Sequence, residues 1–252
     1  MKKRITFASV FLVVALSTYL VLPVEAGPKV LLVVTNQSKI GDSSKATGSW
    51  LSEITHAWTR LDDAGYTIHF ASPKGGHAPI DPGSFSLRDK ENRRFWETLS
   101  AVESLATTLP LAEVDPSEYV AIYFAGGHGT MWDFPKSEAL ANVAASIYES
   151  GGSVAAVCHG PAALVNLRLS NGELLIKGKR VAGFTNAEER IAGLAGDVPF
   201  LLEDKLEECG AIVEKAGMFN DKVVVSGRLI TGQNPASAAR VAEALIESIR
   251  QL

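Results

Sequence analysis

Apolar residues in this chain fall into short unbroken runs, separated by stretches in which they recur every three or four positions. Lys29–Thr35 (KVLLVVT) is Val-rich and lacks polar alternation, which predicts a strand buried on both faces. After a polar loop to Thr47, the residues Trp50, Leu51, Ile54, Trp58 and Leu61 recur at helical spacing, and Gly65 stands where a helix C-cap is expected. Thr67–Ala71 predicts a second strand, residues 73–86 a Gly- and Pro-rich loop, and residues 88–108 one or two helices with a polar face. A turn at Asp115-Pro116-Ser117 precedes a third buried strand, Val120–Ala125, which ends in Gly126-Gly127. Ser137–Glu149 is an amphipathic helix closed by Gly151-Gly152, and Ser153–Val157 is a fourth strand with Cys158 at its end. Gly160-Pro161 opens the next helix, with Pro in the first turn. Residues 173–182 read as a hairpin, Phe200–Cys209 as a helix ending at Gly210, residues 211–217 and 222–225 as strands, and Pro235 onward as a long amphipathic helix.

Strands alternating with helices predict an α/β fold, with a mostly parallel sheet and helices on both faces. Ligands of such sheets bind beyond the carboxyl ends of the strands. Three glycine-rich or otherwise unusual segments fall at such ends: 36–48, 126–135 and 158–161.

The N-terminus has a different pattern. Lys2, Lys3 and Arg4 precede an apolar run from Ile5 to Leu22, and Val24-Glu25-Ala26 places small residues where signal peptidase needs them. Residues 1–26 therefore read as a cleavable signal peptide and 27–252 as one domain, exported to a periplasm or secreted; the competing reading is a retained membrane anchor. Cleavage takes the net charge from −4 to −6. With no basic block after the leader, nothing points to nucleic acid. Two cysteines, Cys158 and Cys209, are too few for a disulfide scaffold, so the core must hold the chain; the two either pair or stay free.

The chemistry concentrates around Cys158. A strand of small residues running into Cys158-His159-Gly160-Pro161 is the layout of a nucleophile elbow, and the start of a helix there is expected to lower the thiol pKa. The alternative is a structural buried cysteine. Gly126-Gly127-His128-Gly129, one strand earlier, can turn backbone N–H groups toward the same point, as an oxyanion hole requires. His128 is either a substrate-binding residue or a cap of its turn. Glu53, among Trp50, Leu51, Ile54 and Ala57, is either buried beside the cysteine or a solvated helix charge. The pair Glu188-Glu189 follows a predicted strand. The five histidines show no spacing typical of metal ligands, and there is no phosphate loop and no dinucleotide fingerprint, so neither metal nor organic cofactor is expected.

Taken as a set, these segments resemble the DJ/PfpI superfamily, whose fold is related to the class I glutamine amidotransferases. The resemblance rests on Glu53, Ala125–Gly129, Ala156–Pro161, Gly183-Phe184-Thr185 with Glu189, and Thr231–Ser237, in the family order. It implies a three-layer, flavodoxin-like α/β/α sandwich. Met131–Pro135, the loop at 73–95 and Gly183-Phe184-Thr185-x-x-x-Glu189 are similar to the branch of heat-shock chaperones that act as glutathione-independent glyoxalases. That branch implies a Cys158-His159-Glu189 triad with Glu53 as the acid beside the cysteine, a homodimer, no cofactor, and conversion of a small 2-oxoaldehyde such as methylglyoxal to a 2-hydroxy acid such as D-lactate. The amidotransferases' His-x-Glu near the C-terminus is missing, which argues against glutamine hydrolysis. The alternatives are a stress chaperone or deglycase, a cysteine redox sensor and, with least support, a cysteine peptidase.

Overall fold

The computed structural model describes residues 27–252; the predicted signal peptide lies outside the described residues. Among the described residues, nine strands and eight α-helices follow one another. The strands are β1 (Lys29–Val33), β2 (Thr67–Ser72), β3 (Leu109–Pro110), β4 (Tyr119–Phe124), β5 (Ser153–Val157), β6 (Arg180–Val181), β7 (Ile212–Val213), β8 (Val223–Ser226) and β9 (Leu229–Gly232). The helices are α1 (Leu51–Asp63), α2 (Lys90–Glu97), α3 (Leu99–Ala106), α4 (Thr130–Asp133), α5 (Glu138–Glu149), α6 (Asn186–Ala192), α7 (Leu202–Glu208) and α8 (Ala238–Ile249).

Seven strands form one sheet in the order β3-β2-β1-β4-β5-β9-β8, parallel throughout except for β8 at the edge. Its central strands are buried on both faces because helices cover both: α1 and α8 pack together on one side, α5 on the other. Chain order reverses between β1 and β4, with β2 on one side of β1 and β4 on the other. In sheets of this kind ligands bind at such a reversal, at the carboxyl ends of the strands. Leu51, Ile54, Ala57, Trp58 and Leu61 turn the apolar stripe of α1 inward, and the same face carries Glu53 into the interior.

Three local expectations need correction. Residues 173–182 do not form a hairpin: the N–H of Ile212 donates to the carbonyl of Lys179, and β6 pairs in parallel with β7, thirty-two residues on. A hairpin is formed by β8–β9, turned at Gly227 with φ +63°, and its second strand escaped the sequence pattern. Gly160-Pro161 opens a five-residue 3-10 helix, not an α-helix, so the thiol sits at the end of a short and weak dipole.

Candidate active site

Cys158 follows β5 directly with φ +59°, a conformation that costs a non-glycine residue free energy and persists only where the surroundings impose it. The surroundings do so from both sides. The Cys158 N–H donates to the carbonyl of Gly232 at 2.9 Å, and the Cys158 carbonyl accepts from the N–H of Phe184 at 2.9 Å. Glycines leave the room that the turn needs. A Cβ on Gly160 would lie 2.3 Å from the Phe124 carbonyl oxygen, and one on Gly126 would lie within 2.7 Å of Glu53 and the His159 nitrogen. The elbow expected from the sequence is thus present, but it is enclosed: Cys158 is only 3% exposed.

The positive φ brings two chain neighbours together. Nδ1 of His159 lies 3.4 Å from Sγ of Cys158, and Nε2 of the same ring lies 2.7 Å from Oε2 of Glu189. The other oxygen of Glu189, Oε1, receives Nε2 of His128 at 2.8 Å. An ionised carboxylate only accepts, so both histidines carry their proton on Nε2, and Nδ1 of His159 is left as a lone pair facing the sulfur. His159 packs against two rings: its ring centroid is 4.1 Å from that of His128 and 4.4 Å from that of Phe184.

The electrostatics follow from this enclosure. Burial, and then the nearby His128, push His159 down to about 4, so it is neutral at ordinary pH. Burial would raise Glu189, but the hydrogen bonds from His128 and His159 outweigh it and hold the acid at about 2. Glu188 has a separate task. It accepts from five donors: the N–H and hydroxyl of Thr185, the N–H of Phe219, and the amides of Gln233 and Asn234. Burial raises its pKa, but these donors, Gln233 foremost, leave it below the usual carboxylate range. The two neighbouring acids have different partners: Glu189 meets His159, while Glu188 fastens the start of α6 to the Thr231–Ser237 segment. Phe184, Gln233 and Asn234 belong to segments that the sequence singled out, but their roles as a stacking wall and as anchors were not legible in it.

Glu53 is completely buried, which decides against the solvated reading. Its Oε2 accepts the N–H of Gly126 at 2.7 Å, while Oε1 finds no well-aligned nitrogen or oxygen partner and the carboxyl lies against the Cys158 thiol. Burial raises Glu53 to about 8, so it is protonated at neutral pH. Cys158 moves against expectation. Burial first, and then the charge on Glu53, push the thiol well above its usual range, and the backbone N–H of His159 opposes this only in part. Gly126 needs a correction too: its N–H is committed to Glu53 and cannot serve an oxyanion. The N–H of Gly127 (φ +104°) engages no other group among the described residues. The expectation of no metal pattern also changes. The fold gathers His128, His159 and Glu189, each from a different element, with ligating atoms within 4.8 Å of one another.

The arrangement is a thiol with a neutral base on one side and a protonated acid on the other, closed off from bulk water. Known proteins resemble the chain along most of its length. Glyoxalase 3 of Candida albicans is 34% identical over 86% of this chain and 97% of its own length. A glutathione-independent glyoxalase of Saccharomyces cerevisiae is 33% identical over 89% and 99%. The crystal structure of glyoxalase III from Candida albicans superposes with a TM-score of 0.80 at 32% identity, covering 87% of this chain and 96% of that one. The Rapid Encystment Protein of Francisella tularensis superposes with a TM-score of 0.85 at 41% identity, covering 88% and 98%. The profile of the DJ-1/PfpI family matches residues 45–248, and with relatives of this similarity along nearly the whole chain, the protein belongs to the DJ-1/PfpI family.

Proposed function

We propose that this protein is a glutathione-independent glyoxalase that adds water to methylglyoxal, or a similarly small 2-oxoaldehyde, to give a 2-hydroxy acid, and that Cys158, His159, Glu189 and Glu53 carry the reaction. The observation that carries the reading is the pair of environments on either side of the sulfur. A base held at about 4 is free to take a proton at neutral pH, and an acid held at about 8 still has one to give. The glyoxalases among its relatives support the substrate class.

In this reading the Cys158 sulfur attacks the aldehyde carbon as its proton passes to Nδ1 of His159, forming a hemithioacetal. Local base assistance replaces a standing thiolate, which burial disfavours. The N–H of Gly127 steadies the aldehyde oxygen. His159 returns the thiol proton to that oxygen, which completes the hemithioacetal and frees Nδ1. Nδ1 next takes the hydrogen on the aldehyde carbon and passes it to the neighbouring oxygen, giving an enediol. Glu53 then donates its proton to the neighbouring carbon and recovers one from the hydroxyl that becomes the thioester carbonyl. The carbon bound to sulfur has then been oxidised to the thioester level and its neighbour reduced to an alcohol. Water cleaves the thioester, releases the 2-hydroxy acid and restores the thiol. The redox change is internal to the substrate, so no external oxidant or glutathione enters the balance.

Export and a homodimer complete the proposal. The leader pattern of residues 1–26 supports export, and the family resemblance suggests the dimer. N-terminal sequencing of the exported protein and light scattering test these two. Lactate formation from methylglyoxal by the purified protein without glutathione tests the activity. A protein that leaves methylglyoxal unchanged contradicts the proposal.

A further inference from the structure

We propose that His128, His159 and Glu189 form a site for a divalent cation of the zinc class, and that filling it switches Cys158 off. The ligating atoms of the three side chains all lie within 4.8 Å of one another. Two imidazole nitrogens and a carboxylate are a donor set that suits zinc, leaving a fourth position for water. Both Nε2 atoms already point at the same carboxylate, from 2.7 and 2.8 Å. A cation would take the place of the two protons that now bridge them. His128, 8% exposed, is the outermost of the three and marks the side from which an ion enters.

The switch follows from the tautomers. A neutral imidazole has one N–H, and in His159 it lies on Nε2. Coordination at Nε2 moves that proton to Nδ1, with no proton gained or lost overall. Nδ1–H then faces Sγ of Cys158, 3.4 Å away, as a donor, the supporting contact that metal-bound histidines habitually make. It no longer has a lone pair to receive the thiol proton. The cation disables the base without touching the sulfur.

Binding is read without turnover and does not depend on the glyoxalase reading; only the inhibition rests on it. Purified protein, stripped with EDTA and desalted, is titrated with Zn²⁺ by calorimetry, and with Co²⁺ while its visible absorption is followed. One site per chain is expected, with cobalt absorption of the intensity typical of four- or five-coordinate sites. His128→Ala, and His128→Gln as a variant that keeps a donor toward Glu189, should weaken binding at least as much as the roughly 10- to 100-fold lost when a ligand's supporting contact is removed. Cys158→Ser and Cys209→Ser should bind as the parent does. No stoichiometric binding overturns the site. So does binding that survives in His128→Ala and is lost in Cys158→Ser, which would put the ion on the thiol. Where methylglyoxal is turned over, Zn²⁺ should inhibit and EDTA should restore the rate; saturating zinc without inhibition overturns the switch. A protein that binds zinc but never turns over methylglyoxal contradicts the glyoxalase reading and leaves the site standing.

Discussion

His159 directs Nδ1 at the sulfur of Cys158 from 3.4 Å although the two residues are adjacent in the chain. Side chains of neighbours in an extended segment point to opposite faces, so their convergence depends on the positive φ of Cys158 and on the bonds that pin it. It also depends on the ring being held in one tautomer, and that is the work of Glu189.

Glu189→Gln keeps the size of the side chain and removes the carboxylate. A glutamine can present its amide to Nε2 and let the ring proton move to Nδ1, where it blocks the base. The expected loss in kcat is on the order of 10³- to 10⁴-fold, as when the orienting acid of a catalytic triad becomes an amide, with KM little changed. Steady-state kinetics with methylglyoxal check this. A loss of less than tenfold means that Glu189 does not set the tautomer.

Glu53 touches both the thiol and the Gly126 turn. In Glu53→Gln the amide oxygen can keep the bond from Gly126 while the NH₂ faces the sulfur; Glu53→Leu has neither. The thiol of the Leu variant should titrate about one unit above that of the Gln variant, ~1.4 kcal/mol. Both should lose turnover, because neither has a proton to give. The pH dependence of iodoacetamide alkylation, with kinetics alongside, decides it. Equal titration and retained turnover would make Glu53 a structural residue.

The same burial links stability to pH. Folded Glu53 keeps its proton to about pH 8, against 4.5 for an ordinary glutamate. Between those values the folded state binds more protons than the unfolded one, so stability falls as pH rises through the window. His159, at about 4 folded against an ordinary 6.5, has the opposite sign: its contribution falls as pH drops from 6.5 toward 4, and it opposes that of Glu53 where the two windows overlap. Glu53→Gln should remove a decline of a few kcal/mol between pH 4.5 and 8, at about 1.4 per unit, and leave the rise due to His159 unopposed between 4.5 and 6.5. Urea denaturation across this range measures it; parallel curves for the parent and the variant would refute it.

Gly160→Ala places a Cβ 2.3 Å from the Phe124 carbonyl oxygen, and backbone cannot yield there as a flexible side chain would. Overpacking of this kind costs about 1–3 kcal/mol. The denaturation midpoint should fall accordingly, and activity should fall with it because the elbow moves. A variant of unchanged stability would show that the elbow has slack.

The central strands were legible in the sequence because unbroken apolar runs such as KVLLVVT fit only a doubly covered sheet, and Gly126, Cys158 and Gly160 marked the turns at their ends. Much less legible was whatever depends on long-range pairing. The partner of Arg180–Val181 is thirty-two residues away, and no local pattern announces it. Whether Glu53 faced solvent could not be read from its helix, since Trp50 and Ile54 fix the inward face only loosely. The acidity of Cys158 was misjudged for a related reason: the motif shows that a helix starts, but neither that it is a short 3-10 turn nor that the thiol is sealed in.

The most direct test of the account is methylglyoxal turnover without glutathione by the parent protein, Cys158→Ala and Cys209→Ser, each verified as folded, with lactate measured as product. The account predicts lactate from the parent and from Cys209→Ser, whose thiol lies half-buried against the Val165 carbonyl at 3.4 Å, away from the site, and none above background from Cys158→Ala. Lactate formation that survives in Cys158→Ala would contradict it.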